Sequence, residues 1–453
     1  MLDIIILAAG KGTRMKSDKP KVLHTLAGKP FLQHVIDRAR ELKASNIYIV
    51  VGHGADQVRQ CIGSADDIEY IEQTEQLGTG HAVQQVLPYL NDKAKSLILY
   101  GDVPLIATKT LESLLACADD KTLGLLTVTL DDPTGYGRII KNGEGQVLAI
   151  VEQKDADVEQ LKIQEVNTGV MAVHGQHLQQ WLPKLRNDNA QGEYYLTDII
   201  AMASKVDVEV KTAAPQKISE TFGVNNRQQQ AELERFYQQE FAAQLMQEGL
   251  NLMDPARFDC RGSLRFGKDC SIDVNCVLEG DIVLGDNVSI GPNCHIINAT
   301  IGTNSEIKSH SIIEDAELHN DVTVGPFARL RPQTLLSAGA KVGNFVETKK
   351  AVIGKGSKVN HLSYVGDADV GENVNIGAGT ITCNYDGANK FKTKIDDGVF
   401  VGSNSALVAP IHIEENATIA AGSTITQNVK AGALSVARTR QKNIDGWQRP
   451  KKK

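Results

Sequence analysis

An aliphatic residue returns at every sixth position over most of the second half of this chain. Ile272, Leu278, Leu284, Ile290 and Ile296 stand six apart, and after a slip of one the series resumes at Ile301, Ile307 and Ile313. It continues through Leu318, Val324, Leu330, Leu336 and Val342, then Ile353, Val359 and Val365, then Val370 and Ile376. It closes at Val401, Leu407, Ile413, Ile419 and Ile425. A helix repeats every 3.6 residues and a flat strand every two, so neither sustains six. A short strand followed by a sharp turn does. One aliphatic per hexad then faces inward, three hexads close a triangular coil, and coils stack about 4.8 Å apart. Gly often follows the aliphatic, as in Leu284-Gly285 and Ile301-Gly302, and Asn, Asp or Gly commonly fills the turn. A narrow prism of this kind excludes large rings, in keeping with 5% aromatic residues and 40 glycines. Interruptions of a repeat map to protruding loops. Two are expected: 383–398, which contains Asn384-Tyr385-Asp386-Gly387, and a smaller one at 348–352.

The first half follows a different pattern. Apolar runs at 4–7, 47–51, 97–100, 123–128 and 170–173 alternate with helix-like stretches such as 31–42 and 81–90. Strand–helix alternation predicts a Rossmann-like α/β domain, a parallel sheet covered on both faces. Ligands of such sheets bind beyond the carboxyl ends of the strands. Leu233, Phe236, Tyr237, Phe241, Leu245 and Met246 then recur at helical spacing. The expected organisation is a first domain over 1–225, a linker helix over 226–250 and a repeat domain over 251–453 that ends in a basic tail.

Composition excludes several classes. A net charge of −7 argues against a general nucleic-acid binder, which needs excess Lys and Arg to neutralise phosphates. The tail is the exception, with Arg438, Arg440, Lys442, Arg449 and lysines at 451–453. It is either solvated, or part of it grips a phosphate or a neighbouring subunit. Seven dispersed cysteines without Cys-x-x-Cys point to reduced thiols in a cytoplasmic protein. No stretch reaches the ~18 apolar residues of a membrane span.

The first apolar run leads into Leu7-Ala8-Ala9-Gly10-Lys11-Gly12-Thr13-Arg14-Met15, with Lys21 close behind. A glycine-rich turn after a first strand lets backbone N–H groups approach phosphate oxygens while Arg and Lys supply charge. The dinucleotide pattern fails, because its third glycine would fall on Met15. A Walker loop also fails: Gly262 to Gly267-Lys268 is followed by Asp269, inside the repeats. Residues 97–100 end in Gly101-Asp102, and a carboxylate beside a phosphate loop suits magnesium.

These segments occur in order with Gln73, Leu77-Gly78-Thr79-Gly80, Gly135-Tyr136-Gly137-Arg138, Val151-Glu152-Gln153-Lys154, Asn167-Thr168-Gly169 and Val224-Asn225-Asn226. The set resembles the sugar-nucleotide pyrophosphorylase family. With the hexads attached it resembles the bacterial bifunctional N-acetylglucosamine-1-phosphate uridyltransferase/glucosamine-1-phosphate N-acetyltransferase family, over nearly the whole chain. The resemblance implies that Leu7, Ala8, Ala9 and Gly10 line a UTP site, with Arg14, Lys21, Tyr100 and Gly101 beside them. Gln73, Gly78 and Thr79 would read uracil, Gly137, Glu152 and Asn167 would hold the sugar, and Asp102 and Asn225 would bind Mg²⁺.

In the hexads, Val359-Asn360-His361-Leu362-Ser363-Tyr364 places His361 near a coil edge. Such a histidine can be structural or merely exposed. An imidazole near neutrality is also a suitable base for acylating an amine. By resemblance His361 is that base, with Glu347 expected to orient it. Arg331 and Lys349 would hold the sugar phosphate of glucosamine-1-phosphate, and Tyr364 and Asn375 its ring. Ala378, Asn384, Tyr385, Ser403, Ala421 and Arg438 would contact acetyl-CoA, and Arg440 stands where the family pattern has proline. The family also implies left-handed coils and a homotrimer. Two other readings remain: a nucleotidyltransferase whose prism only assembles or regulates, and a non-enzymatic scaffold on the same domains.

Overall fold

The alternating runs of the first half form strands because each is short, rich in Ile, Leu and Val, and bounded by loops. The computed structural model describes residues 1–206, 208–450 and 452. Lys451 and Lys453 of the basic tail lie outside the described residues. The chain divides into two units, Met1–Tyr237 and Gln238–Lys453.

The strands of the first unit's nine-stranded sheet are β1 (Leu2–Leu7), β2 (Asn46–Val51), β3 (Ile68–Glu72), β4 (Lys95–Tyr100), β5 (Thr122–Thr129), β6 (Arg138–Lys141), β7 (Val147–Val151), β8 (Glu165–His174) and β9 (Glu209–Ala213). Seven run in the order β9-β5-β8-β4-β1-β2-β3, and β6 pairs with β8 and β7. Helices are α1 (Phe31–Glu41), α2 (Ala55–Ile62), α3 (Thr79–Gln84), α4 (Thr108–Ala116), α5 (Gly175–Trp181), α6 (Asp198–Lys205) and α7 (Arg227–Gln247). Alternate strand residues take opposite faces. Ile4, Ile6, Ile47, Ile49, Leu97 and Leu99 pack with α1 and α4, whereas Ile5, Leu7, Tyr48, Val50 and Ile98 pack with α5 and α6. Each such burial contributes roughly 1.5–3 kcal/mol.

The sheet is not wholly parallel, which corrects the expectation for 170–173. β8 runs antiparallel to both β4 and β5. A parallel return needs a crossover of a dozen or more residues, usually a helix. β6 and β7 are instead joined by the short link 142–146 as an antiparallel hairpin, and β8 in turn runs antiparallel to β6. The helix expected over 226–250 spans Arg227–Gln247, and the boundary between the two units falls within it.

In the second unit, parallel strands form one sheet of eleven and one of thirteen. Equivalent turn residues on successive coils are 17 or 18 apart, three hexads with or without a slip. The repeated aliphatics are buried throughout. The turns take left-handed backbone at Asn275, Asn287, Asn293 and Asn304, which Asn tolerates better than most residues. Their amides stack: Asn275 Nδ2 donates to Asn293 Oδ1 at 3.0 Å, and Asn287 to Asn304 at 3.1 Å. This is a parallel β-helix consistent with the left-handed form.

Two details differ from expectation. There is no loop at 348–352, because Thr348 is fully buried at the inward position of strand Glu347–Ile353. Thr has the shape of Val, and its hydroxyl lies 3.1 Å from that of Thr334. The larger insertion is shorter than 383–398, since Ile381–Cys383 and Thr393–Ile395 both keep their places in the stack. All seven cysteines are unpaired. No helix among the described residues is long and apolar enough to cross a membrane.

Candidate active sites

The carboxyl ends of β1, β3 and β4 open onto a cavity of about 290 Å³. Leu7, Ala8, Ala9, Gly10, Lys21, Gln73, Gly78, Thr79, Tyr100 and Asp102 all line it. β1 and β4 pair Leu7 with Tyr100, and Gly101 N–H donates to Leu7 O at 2.9 Å. The loop and the carboxylate of Asp102 are thereby set side by side. The Ala8 amide is taken by Val50 O at 2.9 Å, so an anion cradle begins after Ala8. Gly12 has φ +59, and a Cβ there would lie 2.7 Å from Lys21 Cβ. Glycine lets this loop close over Lys21.

Lys21 then reaches Asp102. Its ammonium forms an ion pair with Asp102 Oδ2, each side chain being 15% exposed, and also donates to Asn225 Oδ1 at 3.2 Å. Arg14 Nη2 donates to the same oxygen at 2.9 Å. Val224 N–H bonds Asp102 O at 3.0 Å, which brings residue 225 beside Asp102 although 123 positions separate them in the chain. Gln73 is buried, and its amide donates to Gly78 O at 3.1 Å.

The remaining predicted residues form an adjoining group. Asn167 N–H donates to Gly137 O at 2.9 Å, and a Cβ on Gly137 would lie 3.3 Å from Glu152 Oε1. Thr197 donates to that carboxylate at 3.2 Å. Burial pushes the Glu152 carboxyl above its usual range, reinforced by the charges of Asp155, Asp198 and Glu193. Burial likewise pushes the Tyr100 phenol up, with Glu152 and Asp102 adding to the effect.

In the second unit one edge of the prism carries a column. Asn344, His361, Ala378, Ser403 and Ala421 each precede a left-handed residue on successive coils: Phe345, Leu362, Gly379, Asn404 and Gly422. Backbone bonds from Leu362 N to Asn344 O, Gly379 N to Leu362 O, Asn404 N to Ala378 O and Gly422 N to Ser403 O hold the rungs together. Arg438 Nη1 donates to Ala421 O at 2.6 Å. His361 Nδ1 lies 2.7 Å from Asn344 Oδ1. The residue brought to His361 is therefore Asn344, whereas Glu347 accepts from Arg331 at 2.7 Å. The backbone pairing Asn344↔His361 puts the two on neighbouring rungs, a contact 17 residues apart that only the coil length reveals.

On the adjoining face, Glu347 pairs with Tyr364, and Asn384 Nδ2 lies 3.4 Å from Tyr364 Oη. The ammonium of Lys390 holds the Lys349 pKa below the usual lysine range, and Arg331 adds to the effect. These cations make a surface patch suited to an anion. Tyr385 sits exposed on the inserted loop. Asn375 lies on the eleven-stranded sheet, between Lys358 and Phe400.

Four residues that line the first cavity were not anticipated: the apolar Val22 and Ala82, and the polar Gln76 and Glu193. Gln76 lies in the stretch between Gln73 and Gly78 that sequence reading had singled out. Glu193 sits in an aperiodic segment that carries no such signal.

The two units define a nucleotidyltransferase domain joined to a hexapeptide-repeat acyltransferase. A family model for the MobA-like NTP transferase domain matches residues 4–179, and one for bacterial transferase hexapeptide (six repeats) matches 392–427. The chain is 64% identical over 453 residues to the bifunctional protein GlmU of Saccharophagus degradans, covering 100% of both. It is 61% identical over 453 residues to that of Cellvibrio japonicus, again covering 100% of both. The chain belongs to the bifunctional GlmU family.

Proposed function

We propose that the chain makes UDP-N-acetylglucosamine in two steps. Glucosamine-1-phosphate is first acetylated with acetyl-CoA at the prism edge. UMP then passes from UTP to the resulting N-acetylglucosamine-1-phosphate in the α/β unit, releasing pyrophosphate and feeding cell-wall and lipopolysaccharide precursors. The observation that carries this reading is one chain holding both a Lys21–Asp102–Asn225 charge cluster at strand ends and a histidine at the foot of a small-residue column.

In uridylyl transfer the sugar phosphate is already a nucleophile. Its oxygen attacks the α-phosphorus of UTP, the bond to pyrophosphate breaks, and no covalent enzyme intermediate is needed. The protein must align two polyanions and offset charge gathering at the α-phosphoryl group. Loop amides from Ala9 onward, Arg14 and Lys21 serve that purpose beside Tyr100 and Gly101. Gln73, Gly78 and Thr79 read uracil, and Gly137, Glu152 and Asn167 position the sugar. Asp102 and Asn225 present oxygen donors to one shared cation, Lys21 Nζ, and hard oxygen ligands fit Mg²⁺. These two residues would hold the ion, which supplies positive charge to the phosphates.

In acetyl transfer the free amine of the sugar attacks the thioester carbonyl, His361 Nε2 accepts the amine proton, and coenzyme A leaves as its thiolate. Asn344 on Nδ1 orients the ring and leaves Nε2 toward substrate. Ala378, Ser403 and Ala421 keep bulk off the edge above His361. The three coils from His361 to Ala421 span about 14 Å at 4.8 Å each, room for an extended thioester arm ending on Arg438, with Asn384 and Tyr385 alongside. Arg331 and Lys349 hold the sugar phosphate, and Tyr364 and Asn375 its ring. The assembly is a homotrimer working in the cytoplasm.

Mass spectrometry of products from glucosamine-1-phosphate, acetyl-CoA, UTP and Mg²⁺, omitting each in turn, tests the reading. UDP-N-acetylglucosamine should require all four. Its formation without acetyl-CoA would contradict the assignment.

A further inference from the structure

The oxygens proposed to receive the metal are already engaged by the protein's own cations. Lys21 Nζ pairs with Asp102 Oδ2 and donates to Asn225 Oδ1 at 3.2 Å, and Arg14 Nη2 reaches that second oxygen at 2.9 Å. The Lys21–Asp102 pair is largely withdrawn from water, at 15% exposure each, so its attraction is only weakly screened. An Mg²⁺ ion contacts its oxygens at 2.0–2.1 Å. An ammonium bonded to the same two oxygens occupies that place, and like charges do not share it. The backbone of Lys21 is fixed from two sides, by Gly12 against its Cβ and by the buried residues Val22 and Leu23 that follow it. Only its flexible four-carbon stem is free to swing, a property that distinguishes Lys from Arg.

We propose that Lys21 is a stand-in cation. Without nucleotide it neutralises Asp102 and keeps divalent ions out. A bound polyphosphate draws the ammonium onto its own oxygens and so opens the Asp102–Asn225 pair. Metal and nucleotide then enter as one event, each raising the affinity for the other by the same factor. The proposal rests on the metal assignment made above.

The test is direct binding of Mn²⁺ to the full chain without nucleotide, read from the electron paramagnetic resonance signal of free Mn²⁺. Lys21→Met and Lys21→Gln should bind Mn²⁺ at least tenfold more tightly than wild type. Lys21→Arg should stay as weak as wild type, and Lys21→Met combined with Asp102→Ala should lose the gained site. Retained acetyl transfer and an unchanged melting temperature establish that the variants are folded. Equal Mn²⁺ affinity in wild type, Lys21→Met and Lys21→Gln, abolished by Asp102→Ala, overturns the stand-in role and leaves the metal site intact. Binding that ignores Asp102 in every variant overturns the metal assignment itself, and this proposal with it.

Discussion

Replacing Gly12 with alanine puts two separate costs on the nucleotide loop. Gly12 has φ +59, and holding an L-residue in that left-handed region costs roughly 1–2 kcal/mol. The new Cβ would also lie 2.7 Å from Lys21 Cβ and 3.6 Å from Lys21 Cα. No rotamer relieves a contact between two Cβ atoms, so the loop or the Lys21 turn must move. A displacement on the order of 1 Å at a charge-positioning group costs about 10²-fold in rate. Gly12→Ala should therefore lower kcat/KM for uridylyl transfer on the order of 10²-fold. It should lower Tm of the first unit by roughly 2–8 °C, at about 2–4 °C per kcal/mol. The assay is pyrophosphate release from UTP and N-acetylglucosamine-1-phosphate, with thiol release from acetyl-CoA measured on the same preparation and expected to change less than about twofold. Gly143→Ala is the control, because nothing lies within 4 Å of a Cβ there. Uridylyl transfer by Gly12→Ala within about threefold of wild type would refute the claim that this glycine places Lys21.

Asn344→Ala removes one hydrogen bond from His361, a net effect of about 1 kcal/mol. It should lower kcat for acetyl transfer roughly fivefold with KM for acetyl-CoA unchanged, as read by thiol release across pH. Ala378→Leu puts a bulky side chain on the rung next to His361 and should raise KM for acetyl-CoA on the order of tenfold, with coenzyme A binding by calorimetry falling in parallel. Glu152 has its carboxyl raised by burial and neighbouring carboxylates, so its protonated form is the one that favours folding. Its stabilising contribution is complete below the unfolded carboxyl range and is lost as pH rises through the raised folded value. Glu152→Gln should accordingly raise Tm at neutral pH, and that advantage should vanish in acid, measured by melting at several pH values. The same variant should weaken N-acetylglucosamine-1-phosphate binding at neutral pH.

What could be read from sequence depended on how local each signal was. The prism was legible because one aliphatic per hexad is a constraint every coil repeats, and Ile272 through Ile425 are buried as that pattern requires. Thr348 broke the hydrophobic count without breaking the coil, because shape decides what fits inside and the paired hydroxyl removes the cost of burial. The nucleotide loop was legible from its glycines and basic residues, and the cavity gathers Leu7 through Gly10 with Lys21 and Asp102. The direction of β8 was not, since apolar runs look alike whichever way they enter a sheet. Asn344 escaped notice because one more Asn does not stand out among turns already rich in Asn, and its partnership with His361 arises only between coils. Glu193 lies far along the chain from the other cavity residues, in a segment with no period.

The central claim is that two independent chemistries share this chain, and measuring both activities on Asp102→Ala and His361→Ala tests it most directly. The account predicts that Asp102→Ala loses uridylyl transfer and keeps acetyl transfer, while His361→Ala does the reverse. Loss of both activities in either variant, with melting temperature unchanged, would contradict it.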